Sequence, residues 1–140
     1  IKALVPAVLA GQATGWCEPC VPYAGNGVGI AFLPETGSGV WIEFEGGDVS
    51  YPIWVGCYWR DGEQPADATP AVKAIVVKSG SGSLKLLLDT ARGSITISDD
   101  NNNTVTLDSD GITLEHGSNN IAISDSEVNI NDGALEVTSA

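Results

Sequence analysis

The second half of this chain has no aromatic side chain. All 4 Trp, 3 Tyr, 2 Phe and 3 Cys fall within residues 1–63, and residues 79–140 hold none of them. Without rings, an interior must be filled by aliphatic groups alone, and the small core that results is marginal. That argues against a self-sufficient globular domain there and for a core completed by other copies, a homotrimer or other symmetric oligomer. Basic residues are also scarce, 6 against 18 acidic ones, for a net charge of −12. Such a surface repels phosphate, which disfavours nucleic acid and anionic lipid as partners. No apolar run reaches the roughly 20 residues of a transmembrane helix. The apolar stretch over residues 1–10 is short and broken by Pro6, and residues 4–9 read as a first strand rather than a signal peptide. Methionine is absent and the chain opens on Ile1, so a trimmed product with a segment upstream is expected. Cys17 and Cys20 form a C-x-x-C with no second pair, and His116 is the single histidine. In a strand over residues 16–23 the two thiols would point to opposite faces, so buried free thiols are expected rather than a metal site.

What the second half does contain is a rhythm. Short triplets recur at Leu86-Leu87-Leu88, Ile95-Thr96-Ile97, Val105-Thr106-Leu107, Ile112-Thr113-Leu114, Ile121-Ala122-Ile123, Val128-Asn129-Ile130 and Leu135-Glu136-Val137, with first residues 9, 10, 7, 9, 7 and 7 apart. Most have a small or polar centre between apolar ends, the period of a strand with one buried face. Gly, Asn, Asp and Ser, the turn formers, lie between them. Strands this short must stack on copies of themselves, and the product is a shaft. Its expected core is Ile95, Ile97, Val105, Leu107, Ile112, Leu114, Ile121, Ile123, Val128 and Ile130, pointing inward, with Thr96, Thr106, Thr113 and Asn129 pointing outward.

The first half reads as short strands with Gly and Pro punctuation: residues 4–9, 16–21, 28–33, 40–44 and 53–59. Five short antiparallel strands suit a small closed barrel of the OB type. The polar stretch 61–71 holds Pro65 and Pro70 and reads as linker, with the β-branched run 73–78 entering the shaft. The chain is therefore expected to be all-β: an N-terminal OB-fold barrel over 1–63, a linker over 64–78, and a C-terminal shaft of stacked short strands over 79–140.

Residues 15–59 resemble the OB domain of the central spike of contractile-tailed phages and of the related VgrG and baseplate-V spikes. The resemblance is carried by Val21-Pro22-Tyr23-Ala24-Gly25-Asn26-Gly27-Val28-Gly29, by Leu33-Pro34-Glu35-Thr36-Gly37-Ser38-Gly39, by Val40-Trp41-Ile42-Glu43-Phe44-Glu45-Gly46-Gly47-Asp48 and by Pro52-Ile53-Trp54-Val55-Gly56. It continues at Lys78-Ser79-Gly80-Ser81-Gly82 and Leu86-Leu87-Leu88-Asp89, with Thr90 where such spikes often carry a second acid. The resemblance implies trimers with intertwined triple-stranded β-helical shafts, a baseplate hub protein at one end and a PAAR-type tip protein at the other. Two modules of such spikes are not among these residues, a hub domain before the barrel and a lysozyme-like domain before the shaft; the hub is expected either as a separate protein or in a segment removed upstream, and Gly117-Ser118 after His116 gives no His-x-His to hold iron at an apex.

Against that background the barrel aromatics Trp16, Tyr23, Trp41 and Trp54 are expected to face the hub, and Leu135, Val137 and Ala140 to contact the tip protein. Gly25-x-Gly27-x-Gly29 is not followed by a helix and reads as a turn rather than a phosphate loop. The acid pairs Asp99-Asp100 and Asp108 with Asp110 read as solvated turns, with calcium ligation or glycosidase carboxylates as the alternatives. The expected protein is a structural spike at the baseplate centre of a phage virion or injection particle, piercing the target membrane mechanically, with no enzymatic activity, cofactor or metal. The alternative is a β-helical carbohydrate-binding or depolymerising fibre domain.

Overall fold

The computed structural model describes residues 1–80 and 82–138. The chain divides into two compact units, Ile1–Gln64 and Pro65–Ala140.

The first unit opens on a correction. Residues 4–9 were expected as a strand, and Pro6–Leu9 is instead a one-turn helix, α1. Pro6 stands at its first position, where a missing N–H costs nothing and the fixed φ suits a helix. Ala10, in the left-handed region at φ 48°, closes the turn by donating its N–H to the Pro6 carbonyl. The expected strands at 16–21 and 28–33 shrink to pairs of residues: β1 (Glu18–Pro19), then β2 (Ala24–Gly25) and β3 (Val28–Gly29), a hairpin turned at Asn26-Gly27. Pro19, Pro22 and Gly29 interrupt these runs, removing donors or side chains that a longer ladder would need.

The longer strands are β4 (Gly39–Phe44) and β5 (Pro52–Tyr58), antiparallel to each other, with a bulge opposite the Trp41–Ile42 step. β1 adds to the far edge of β5 in parallel, giving the order β1-β5-β4. The described strands thus form a three-stranded sheet and a separate hairpin rather than five consecutive antiparallel strands. The core is small: Ala3, Cys17 and Trp54, with Thr14 as its polar member. Thr14 Oγ1 accepts the Ala3 N–H at 3.0 Å and lies 3.4 Å from Cys17 Sγ. Only one thiol meets the expectation of burial, since Cys20 and Cys57 are exposed.

The second unit is one antiparallel sheet of eight strands: β6 (Val72–Ser79), β7 (Gly82–Asp89), β8 (Ser94–Asp99), β9 (Asn103–Asp108), β10 (Gly111–His116), β11 (Asn119–Ile123), β12 (Glu127–Ile130) and β13 (Leu135–Thr138). Their spatial order is their sequence order, an up-and-down meander. Each triplet seen in the sequence lies in one strand from β7 to β13. The segment 64–78, expected as linker, is in its second half the paired strand β6, because its β-branched run finds β7 as a partner. Thr90 fixes the start of this sheet, donating both its N–H and its Oγ1 hydroxyl to the Ala71 carbonyl at 2.9 and 2.8 Å.

Candidate assembly surfaces

Register decides what the sheet can do. Ile95 pairs with Leu107, Leu107 with Ile112, Ile112 with Ile123, Ile123 with Val128, and Val128 with Val137. A second row runs Ile97, Val105, Leu114, Ile121, Ile130 and Leu135. Since side chains two apart share a face, both rows lie on one face. The triplet centres Thr96, Thr106, Thr113, Ala122 and Asn129 pair with one another on the other face. Strand β7 extends both rows, with Leu88 opposite Ile95 and Leu86 opposite Ile97.

Among the described residues of the second unit, nothing covers this aliphatic face. Strands in firm contact are ladder neighbours, and among the described residues no second layer packs on the sheet. Ile97 is 52 % exposed, Leu84 62 % and Val137 60 %. Of the ten residues expected to point inward, Val105, Val128 and Ile130 are half-buried and the other seven are exposed, while Thr96, Thr106 and Thr113 opposite them are half-buried. One chain therefore reverses the expected burial: each centre is flanked by neighbours on both sides, and the apolar face lies open. An aliphatic face this continuous is rare on a monomer and marks an association surface. Leu84, Leu86 and Leu88 lie outside the expected core set, although they share one phase of β7. Leu135 and Val137 end the two rows, and Ala140 lies outside the described residues.

In the first unit the expected hub-facing residues divide. Trp16, Tyr23 and Trp41 are exposed. Trp54 is 6 % exposed, and its indole N–H donates to the Gly56 carbonyl at 2.9 Å. It is a core residue, not an interface anchor, because the period-2 alternation of β5 puts it on the same inward phase as buried Pro52. The Trp41 and Tyr58 rings lie 5.0 Å apart at a tilt of 46°, and the Arg60 guanidinium lies 5.9 Å from the Tyr58 ring. Gly39 makes this possible, since a Cβ there would meet the Tyr58 ring at 2.7 Å. Arg60 also binds Glu63 at 3.0 Å, which raises the guanidinium pKa, while the Glu63 carboxyl is lowered first by the Arg60 backbone N–H that it accepts and then by that guanidinium.

The acid pairs accept hydrogen bonds from their own turns and, at Asp100, from the neighbouring strand β7. Asp99 accepts the side-chain and backbone N–H of Asn103 and those of Asn101. These bonds, led by the Asn103 side chain, pull its carboxyl from 3.8 to about 2. Asp100 accepts the N–H and hydroxyl of Ser83 at 2.6 and 2.7 Å. Asp108 accepts the Asp110 N–H at 2.9 Å. Among the described residues no group of three His, Cys, Asp or Glu side chains is placed to hold a metal ion.

Comparison with known families finds two matches. Residues 1–59 match the type VI secretion system/phage-baseplate injector OB domain. Residues 69–136 match the phage baseplate V C-terminal trimerisation domain. The two take in nearly the whole chain, in the order barrel then sheet. None of the curated proteins matches it.

Proposed function

The chain belongs to the baseplate V family of phage and type VI injector proteins, and from that premise we propose that it is the structural central spike of a contractile injection machine. The observation that carries the reading is the one-sided aliphatic face of the second unit, uncovered in one chain and lying within the trimerisation domain. Three copies turn their faces together around a common axis, and their apolar rows become the interior that no single chain has. In this reading the three chains are intertwined as a β-helical shaft. Removal of aliphatic surface from water drives the association, at about 25 cal/mol per Å².

The spike works by mechanics rather than catalysis. Sheath contraction drives an inner tube, and the spike leads it through the target envelope. Backbone ladders along the sheet share the load among many hydrogen bonds. The OB domain seats the spike on a baseplate hub protein through exposed rings such as Trp16, Tyr23 and Trp41. The last strand of the sheet, β13, has a partner on one edge only among the described residues, and a PAAR-type tip protein seats there against Leu135 and Val137.

Particles assembled with and without this chain test the reading. On contraction, complete particles should make target cells take up an impermeant dye, and particles lacking the chain should not. Equal uptake would reject the piercing role.

A further inference from the structure

The first unit carries a shallow cleft of about 110 Å³ lined by Trp16, Glu18, Glu45 and Tyr51, with Ser50, Pro52 and Ile53 completing it. It is a shaped site. Glu18 is held by the parallel pairing of β1 with Ile53 of β5. The Glu45 N–H donates to the Tyr51 carbonyl at 3.0 Å, and the Tyr51 N–H to the Asp48 carbonyl at 3.0 Å. Asp48 also accepts the Ser50 N–H at 2.9 Å. The rings are nonetheless open to solvent, Trp16 at 76 % and Tyr51 at 61 %.

Two carboxylates, two exposed rings and no basic lining residue make a receptor for positive charge. A separate observation agrees: the Lys2 ammonium already lies 5.3 Å from the centre of the Trp16 ring, where the ring's negative face attracts a cation. We infer that this cleft receives an arginine or lysine side chain from a basic segment of a different protein in the baseplate. A second copy of this chain is a poor donor. Of its six basic residues, Arg60, Lys85 and Arg92 face the carboxylates of Glu63, Asp67 and Asp89, Lys73 donates to the Pro70 carbonyl and Lys2 lies over its own Trp16, which leaves Lys78. The inference rests on the spike reading only in placing the donor in the baseplate.

The test uses the intact chain labelled with fluorotryptophan, titrated with the peptide acetyl-Gly-Arg-Gly-Arg-Gly-amide and followed by fluorine NMR. The Trp16 resonance, assigned with Trp16→Phe, should shift saturably while that of Trp41 stays in place. The double variant Glu18→Gln/Glu45→Gln should weaken binding by roughly five-fold, the scale of an exposed cation contact. The control Glu115→Gln/Asp125→Asn removes the same charge from the other unit and should leave binding unchanged. Equal losses in both variants would reduce the effect to bulk charge and overturn the inference, and so would a silent Trp16. If Trp16 is silent and the double variant instead weakens self-association, a second copy fills the cleft and the inference also fails. Sedimentation of the same samples separates the two proposals. A monomer that binds the peptide sinks the spike reading alone, and a trimer that ignores it sinks this inference alone.

Discussion

Gly111 opens β10 at φ 133°, and a Cβ there would collide with the Ile123 carbonyl of β11. Only glycine suits both the backbone angle and the close approach. Gly111→Ala should therefore destabilise the second unit by about 2 kcal/mol, the range of a strained residue, read as a lowered melting temperature. Asp99 makes a prediction in pH. Its folded-state carboxyl titrates near 2, below the 3.8 of the free group. A depressed carboxyl adds stability that is present above the higher value and lost as pH falls towards the lower. Wild type should exceed Asp99→Asn in melting temperature at neutral pH, and the gap should close between about pH 4 and 2. A gap that persists at pH 2 would mean that the Asn103 and Asn101 bonds do not hold this turn. At this scale the sequence was only partly legible. Trp54 was chosen for its residue type, whereas its place two residues from Pro52 on β5 sets its direction. Cys17 and Cys20 divide into one buried and one exposed thiol because the chain between them passes through β1.

Elements were legible where the pattern repeated. Seven triplets gave seven strands, because a two-residue period survives even a three-residue run when turn formers fix both of its ends. In the first unit no run repeats, and local chemistry decides. Pro6 converts an apolar run into α1, and Pro19, Pro22 and Gly29 cut two expected strands to pairs. The linker expected over 64–78 takes in the β-branched run 73–78 that enters the shaft, and that run lies in β6, whose pairing with β7 extends over all eight of its residues. The strand-level prediction concerns Leu114, central in its row between Val105 and Ile121. Leu114→Asp would place a carboxylate in the shared interior, at a cost of at least about 3 kcal/mol per chain. Thr113→Asp, one residue away on the opposite face, should be tolerated. Sedimentation should find the first variant dissociated and the second assembled. Dissociation of both, or of neither, would contradict the assignment of faces.

For the whole molecule, sedimentation equilibrium of the intact chain should return three copies, as the trimerisation domain and the uncovered face require. A stable folded monomer would leave the aliphatic rows unexplained. That an oligomer is needed was legible in the missing aromatics, and the depth of the need was not. Sequence period gives direction but not cover, and only the sheet shows that neither face finds a second layer among the described residues of its own unit. The up-and-down strand order carries one consequence for how such a particle is made. Each strand pairs with its neighbour in sequence, so the contacts are local and the sheet can zip up quickly in a single chain. The apolar rows then stay wet until other chains arrive, and collision between chains depends on concentration. Assembly through such an open sheet should therefore quicken as chains meet more often. Synthesis of many copies from neighbouring ribosomes would shorten the interval in which a finished sheet is still open to wrong partners.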